Sequence, residues 1–470
     1  MHNLIKNTSI YALGDILPRL FSLITFPILT NYLIPDDYAI VNYVNTINTF
    51  LLIVSFLCLN TYYLVYYYRM EDEEKQKLLF GNITIFIISI NFFITILLCF
   101  FGRYAFSTIG SKIDFFPYIA IGIATNFFNI LGILPAALFR VQERPLPLTI
   151  LNVVKSVLTM GITLVLVIRY EYKALGVLYA TLIVSVIFSI VYVIITLQNM
   201  IWNINFKQIK QALLFSIPLL PGALARLVVS MSDRIFIEKH LNLFDLGIYS
   251  TASTIAMMLN IIAYGAYKAF EPYFFKIYGK NIFLASFIKV HNAFLALLIF
   301  GSMVLSVFAR EFLHFFAGPG YQTAYYYVPM IQISVVFSSM AMLFSTILAA
   351  QEKTKLTSVI TIVGSVVSIV MNNILLPIMG IAAACLSSGV SFGLIFILSM
   401  LCAKIQINYL RSFFGLLSSS AIAWLLIYQI SFDHILFSIF FKSIGIIVSM
   451  IIIILLLQLD LRNIKKYAIN

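Results

Sequence analysis

Long hydrophobic segments, separated by short polar loops, follow one another along the whole chain. Each is long enough for an α-helix to cross the ~30 Å hydrocarbon core of a membrane. None shows the short alternating strands of a membrane β-barrel. The sequence therefore predicts an all-α polytopic membrane protein of about 14 transmembrane helices. The predicted spans are 8–33, 38–68, 78–101, 115–139, 148–168, 174–197, 212–237, 246–270, 283–308, 324–350, 356–376, 380–402, 411–430 and 436–459.

The amino-acid composition supports a membrane protein and argues against some classes of partner. Of the 470 residues 62% are apolar and 10% are charged, whereas soluble domains carry roughly 25% charged residues. The net charge of +12 is spread over short loops, which argues against nucleic acid as a partner. The histidines and cysteines lack metal-ligand spacing, so neither a metal nor a cofactor is expected, and membrane lipids are the expected surroundings.

The distribution of lysine and arginine predicts the orientation. With the N-terminus inside, the inner loops hold 18 of these residues and the outer loops hold 7. Cytoplasmic loops carry the excess of positive charge. Both termini are therefore predicted to be cytoplasmic.

The second part of the chain repeats the first. Gln142-Glu143-Arg144 returns as Gln351-Glu352-Lys353 after 209 residues, and Arg19 matches Arg226 after 207. Asp37 matches Asp245, and Gly176 matches Gly380, in the same order. Parallel repeats of this kind are known in transporters. The repeat predicts a six-helix lobe at 1–205, a second at 206–405, and two additional helices at 406–470.

Two stretches carry a resemblance to a known family. They are NTSIYALGDILPRLFSLITFPILTNYLIPDDYAIVNYV (7–44) and LFRVQERPLPLTILNVVKSVL (138–158). They resemble bacterial polysaccharide repeat-unit flippases of the multidrug/oligosaccharidyl-lipid/polysaccharide exporter superfamily.

The resemblance implies two lobes around a central cavity that opens to each face in turn. It implies a flippase for an undecaprenyl-pyrophosphate-linked oligosaccharide of O-antigen or capsule, in the bacterial inner membrane. A glycan polymerase and a chain-length regulator are its implied partners. The family has no universal binding motif. The candidate site residues are therefore chosen by the energetic cost of placing charged side chains within membrane spans.

Three basic residues within the spans are candidates for binding the pyrophosphate: Arg19, Arg226 and Lys155. An ionised side chain at mid-membrane costs at least ~2.5–3.5 kcal/mol, so it needs a wet cavity or a partner. A guanidinium can bind two oxygens of a diphosphate at once. Arg140, at the start of an inner loop, is a candidate for the entrance.

Simpler interpretations exist for several of these residues. Arg19 lies four residues after Asp15, on one helix face, and can pair with it. Lys155 can extend its stem toward the cytoplasmic interface, and the same is expected of Lys268 and Lys442.

Asp15 and Asp233 are candidates for coupling transport to H⁺ or Na⁺. Prolines interrupt the first and seventh spans and favour kinks, which suit either a moving gate or a static bend. These candidate gate residues are Pro18, Pro27, Pro218 and Pro221.

Three functions compete for a chain with these features. In-span charge is mainly basic, which favours an anionic lipid-linked substrate over the organic cations of a multidrug exporter. A membrane glycan polymerase or ligase would need a large external loop and catalytic groups, and neither is evident. The sequence therefore predicts a transporter that is not an enzyme.

Overall fold

The computed structural model describes residues 2–70, 72–405 and 435–457, and this part of the chain contains helices and turns but no β-strand. The all-α prediction is confirmed. Among the described residues, eleven helices are long and apolar enough to cross a membrane. The predicted span 411–430 lies outside the described residues.

Unit 1, Met1–Gly247, contains the first ten helices and the start of the eleventh. They are α1 His2–Tyr32, α2 Pro35–Phe56, α3 Leu59–Tyr67, α4 Glu73–Ile109, α5 Ala120–Asn129, α6 Ile133–Val141, α7 Pro145–Leu164, α8 Lys173–Asn199, α9 Phe206–Ser216 and α10 Leu220–His240.

Unit 2, Ile248–Asn470, contains most of α11 and the later helices. They are α11 Leu243–Ile277, α12 Phe283–Val307, α13 Ala309–Phe316, α14 Val328–Ala350, α15 Thr354–Met379, α16 Ile381–Ala403 and α17 Ile435–Leu457. The lobe boundaries drawn from the repeat stay a prediction.

Several spans are interrupted. The second span is divided into α2 and α3 by Leu57 and Cys58, which both have left-handed backbone (φ 49 and φ 58). The fourth contains a π-helical turn, Phe115–Ile119, and a 3₁₀ turn, Ile130–Gly132. The seventh passes through a 3₁₀ turn, Ile217–Leu219, where Pro218 lacks a backbone donor. In contrast, α1 runs on through both of its prolines.

In unit 1, α1 packs along α7 and α2 packs against α5 and α10. Small residues allow the first of these contacts: a Cβ on Gly14 would lie 2.6 Å from Thr149 Oγ1. Thr149 also donates a hydrogen bond to the Ile10 carbonyl (3.0 Å). Close backbone approach at small residues is typical of helix packing in membranes.

In unit 2, α14 and α16 form the most extensive helix pair, flanked by α12 and α15. Aromatic rings fill the space beside it, with Phe287 against Phe344 at 5.7 Å between ring centroids. The last helix, α17, packs on α12 through Ile446, which contacts Met303 and Val307.

Candidate functional site

Lys155 on α7 is linked to α5 and α8 by hydrogen bonds that share one acceptor, the side-chain oxygen of Asn129. It lies ~15 Å along α7 from Pro145 at ~1.5 Å per residue, and its ammonium donates to Asn129 Oδ1 at 2.7 Å. Ser185, on α8, donates to the same oxygen at 3.0 Å. The ammonium is thus held within the spans of α5, α7 and α8 and does not extend to a loop.

The partner of this ammonium is neutral. The ion pairs between described residues do not include Lys155. A lysine ammonium has three donors, and Asn129 takes one. The other two are available to oxygens of a ligand or of water.

Further polar side chains line the interior of the same unit. Asn126 donates to Ser55 Oγ (3.4 Å), and Asn91 donates to the Phe127 carbonyl (3.1 Å). Side-chain oxygens of Asn48, Asn91 and Asn126 are buried and accept no hydrogen bond from the described residues. Burying such acceptors costs free energy, so this interior suits water or a hydroxyl-rich ligand better than hydrocarbon.

The two candidate arginines are placed on different helices of unit 1. Arg19 on α1 and Arg226 on α10 both have exposed side chains. Arg226 forms no hydrogen bond or ion pair with a described residue. Their role as pyrophosphate ligands stays a prediction.

One of the two candidate coupling carboxylates is buried within unit 1. Asp233, on α10, is 1% exposed. The side chain of Asp15 lies outside the described residues, so its pairing with Arg19 stays a prediction.

A second buried carboxylate follows Asp233 on α10 and was not anticipated. Glu238 is 1% exposed and accepts a hydrogen bond from Ser111 Oγ at 3.0 Å. The backbone N–H of Lys112 donates to the same Glu238 oxygen. These contacts join the end of α10 to the turn after α4.

The remaining candidates are the entrance residue Arg140 and the four prolines. Arg140 is exposed in the last turn of α6, next to the turn that leads to α7. Pro218 and Pro221 flank the start of α10, whereas Pro18 and Pro27 lie within α1.

The expectation that Lys442 reaches the membrane interface was wrong. Lys442 is 1% exposed, and its ammonium lies 2.5 Å from Glu311 Oε1. Ser438 donates to the same oxygen at 2.7 Å. A buried carboxylate on α13 satisfies the lysine, so extension to the interface is unnecessary.

Sequence reasoning also missed Asn129 and Ser185, the partners of Lys155. Asn129 lies within a predicted span, and a polar residue in a span is a signal of function or of a polar partner. Its pairing with Lys155 is visible only after the helices are packed.

The fold is that of the MurJ and MATE membrane transporters. The lipid II flippase MurJ in an inward closed conformation matches with a TM-score of 0.75 and 14% identity, covering 94% of this chain and 97% of that chain. An inward-facing multidrug resistance MATE transporter matches at 0.65 and 15%, covering 86% and 95%. A point mutant of the Vibrio cholerae MATE transporter VcmN matches at 0.59 and 13%, covering 86% and 96%.

A comparison of the sequence with protein-family models identifies the family of this chain. The family model described as polysaccharide biosynthesis protein matches residues 4–278, which is more than half of the chain. The chain belongs to this family. A second family model, MatE, matches residues 218–374, and no curated protein sequence matches.

These findings confirm the resemblance to the flippases of the exporter superfamily. The chain is a multi-pass membrane protein of the polysaccharide biosynthesis family, with the fold of the MurJ and MATE transporters.

Proposed function

We propose that the protein moves a lipid-linked oligosaccharide across the bacterial inner membrane by alternating access. The substrate is an undecaprenyl-pyrophosphate-linked repeat unit of O-antigen or capsule, carried from the inner to the outer leaflet. Both termini are cytoplasmic in this proposal. The membership in the polysaccharide biosynthesis family supports the substrate class.

The observation that carries the proposal is the ammonium of Lys155. It lies within the spans, its described partner is the neutral amide of Asn129, and it retains two donors. A positive charge in such a place is costly unless an anion or water accepts its remaining hydrogen bonds. A diphosphate supplies both the charge and the acceptor oxygens.

The interior of the same unit also suits the oligosaccharide. The unpartnered oxygens of Asn48, Asn91 and Asn126 are acceptors for sugar hydroxyl groups. Arg19 and Arg226 add two guanidinium groups to the same unit. Outward movement of a negative charge is favoured by an inside-negative potential, by ~2.3 kcal/mol per charge per 100 mV.

The second candidate function is export of an organic cation. The MatE family model over 218–374 favours it, and so do the buried carboxylates Asp233 and Glu238 on α10. A cation exporter would bind its substrate at these acids and would not need Lys155.

We further propose that Asp15 and Asp233 respond to H⁺ or Na⁺ and couple its gradient to transport. The glycan polymerase and chain-length regulator are the proposed partners, because the flipped repeat unit must be polymerised after transport.

The test is a flipping assay with purified protein in liposomes. A polyprenyl-diphosphate oligosaccharide is placed in one leaflet, and its arrival in the other is measured with an impermeant glycan-modifying reagent. Lys155→Gln should lower the rate about ten- to a hundredfold, because a hydrogen bond to a charged group contributes ~1.5–3 kcal/mol. Lys155→Arg should retain most of the rate.

Lys207→Gln serves as the control, since it removes an equal charge from an exposed position on α9 and should leave the rate unchanged. Equal rates for Lys155→Gln and the unmodified protein would contradict the proposal. Gradient-driven movement of an organic cation, without movement of the lipid-linked sugar, would establish the alternative.

A further inference from the structure

A cleft of about 420 Å³ opens in unit 2 where four helix ends meet. It lies beyond the ends of α11, α14 and α16 and at the start of α12. We call it the lysine cleft and define it by Lys280, Asn281, Leu284, Gln351 and Lys404. The cleft is broadly open rather than enclosed.

The charge of the lysine cleft is positive. Lys280 and Lys404 line it, and no acidic residue is among the lining residues. Neither lysine takes part in an ion pair between described residues. In addition, α12 begins at this cleft without a side-chain cap, so the positive end of its dipole adds to the two ammonium groups.

The backbone of Lys404 ends α16 in left-handed geometry (φ 54, ψ 37). Glycine is the preferred residue at such a helix end, and a side chain there costs free energy. A glycine can therefore remove the charge of Lys404 without adding backbone strain.

The wall that carries Lys404 is held in place. Gln351 donates to the Ala403 carbonyl at 3.1 Å and accepts a hydrogen bond from Lys353 at 2.9 Å. The turn after α14 and the end of α16 are therefore joined directly beside Lys404.

The turn from α11 to α12, which carries Lys280, also lines the cleft with apolar side chains. Tyr278 and Phe283 pack edge to face, with ring centroids 5.2 Å apart, and Leu284 is 47% exposed. A ligand that fits this lining combines an anionic group with a hydrocarbon part.

We propose that the lysine cleft binds the phosphodiester headgroup of an anionic membrane phospholipid. The phosphate lies between Lys280 and Lys404, and the glycerol and upper acyl chains lie against Tyr278, Phe283 and Leu284. Basic pockets between transmembrane helices on the cytoplasmic side bind such headgroups. The inference rests on the proposed orientation, which places these loops in the inner leaflet, and not on the identity of the transported substrate.

The experiment measures binding of short-chain phosphatidylglycerol to the purified full chain in a zwitterionic detergent. Lys404→Gly should weaken binding at least tenfold, while the temperature of unfolding stays equal or rises because glycine accepts the left-handed backbone. Lys280→Gln should weaken binding similarly. Lys404→Arg should retain binding within about threefold, since the charge is kept.

Lys210→Gln is the matched control, because it removes one exposed lysine of unit 1 and should leave affinity unchanged. Unchanged affinity in Lys404→Gly would overturn the proposal. So would equal displacement by inorganic phosphate, which would identify a site for free anions. Tighter binding of a polyprenyl diphosphate than of phosphatidylglycerol would also overturn it, since the cleft would then serve the transported lipid.

Discussion

At the scale of single residues, the stability of the protein depends on the buried ion pair between Lys442 and Glu311. Both side chains are removed from solvent, with side-chain exposures of 2% and 7%. Because a buried charge without its partner is strongly unfavourable, Glu311→Gln or Lys442→Met alone should lower the free energy of unfolding by ~3–5 kcal/mol. The measurement is denaturant or thermal unfolding of the purified protein in detergent.

The double variant Glu311→Met with Lys442→Met is the decisive comparison. It removes both charges, and replacement of a buried ion pair by apolar residues is often neutral or stabilising. Most of the lost stability should return. If each single variant unfolds like the parent, the pair does not anchor α17 to α13.

At the scale of elements, the turns that follow α6 and α14 share one backbone conformation. Glu143 and Glu352 both have left-handed geometry (φ 53 and φ 60). Each is followed by a residue whose N–H donates back into the preceding helix, from Arg144 to Phe139 (2.9 Å) and from Lys353 to Leu348 (2.8 Å). These are the turns aligned by the Gln-Glu-Arg/Lys repeat.

Glycine should therefore stabilise both turns. Both glutamates are exposed, and relief of left-handed strain is expected to raise the free energy of unfolding by about 1 kcal/mol for Glu143→Gly and for Glu352→Gly. Alanine at the same positions keeps the strain and serves as the control in a thermal unfolding assay. A gain with alanine equal to that with glycine would show that the side chain, and not the backbone, limits stability.

An element can be predicted from the sequence when residues close together in the chain determine it. The spans were predicted because twenty apolar residues in a row leave few alternatives to a membrane helix. The break at Leu57 and Cys58 was not, because neither residue is glycine or proline and no local signal marks it. Lys155 was identified by its charge, but Asn129 lies 26 residues from Lys155 and 56 residues from Ser185 in the sequence. Such contacts depend on how the helices pack.

At the scale of the whole molecule, the asymmetry of basic residues predicts the orientation, and the orientation decides the direction of transport. In a variant without its four native cysteines, Asp114→Cys and Arg144→Cys each place one exposed cysteine in a loop. Positively charged loops stay cytoplasmic. An impermeant maleimide should therefore label Asp114→Cys in intact cells, and it should label Arg144→Cys only after the membrane is permeabilised. Labelling of Arg144→Cys in intact cells would show that the topology is the inverse of the predicted one. The membrane potential would then oppose movement of an anionic headgroup from the face that carries Arg140 and Arg144, and the lysine cleft would lie in the outer leaflet.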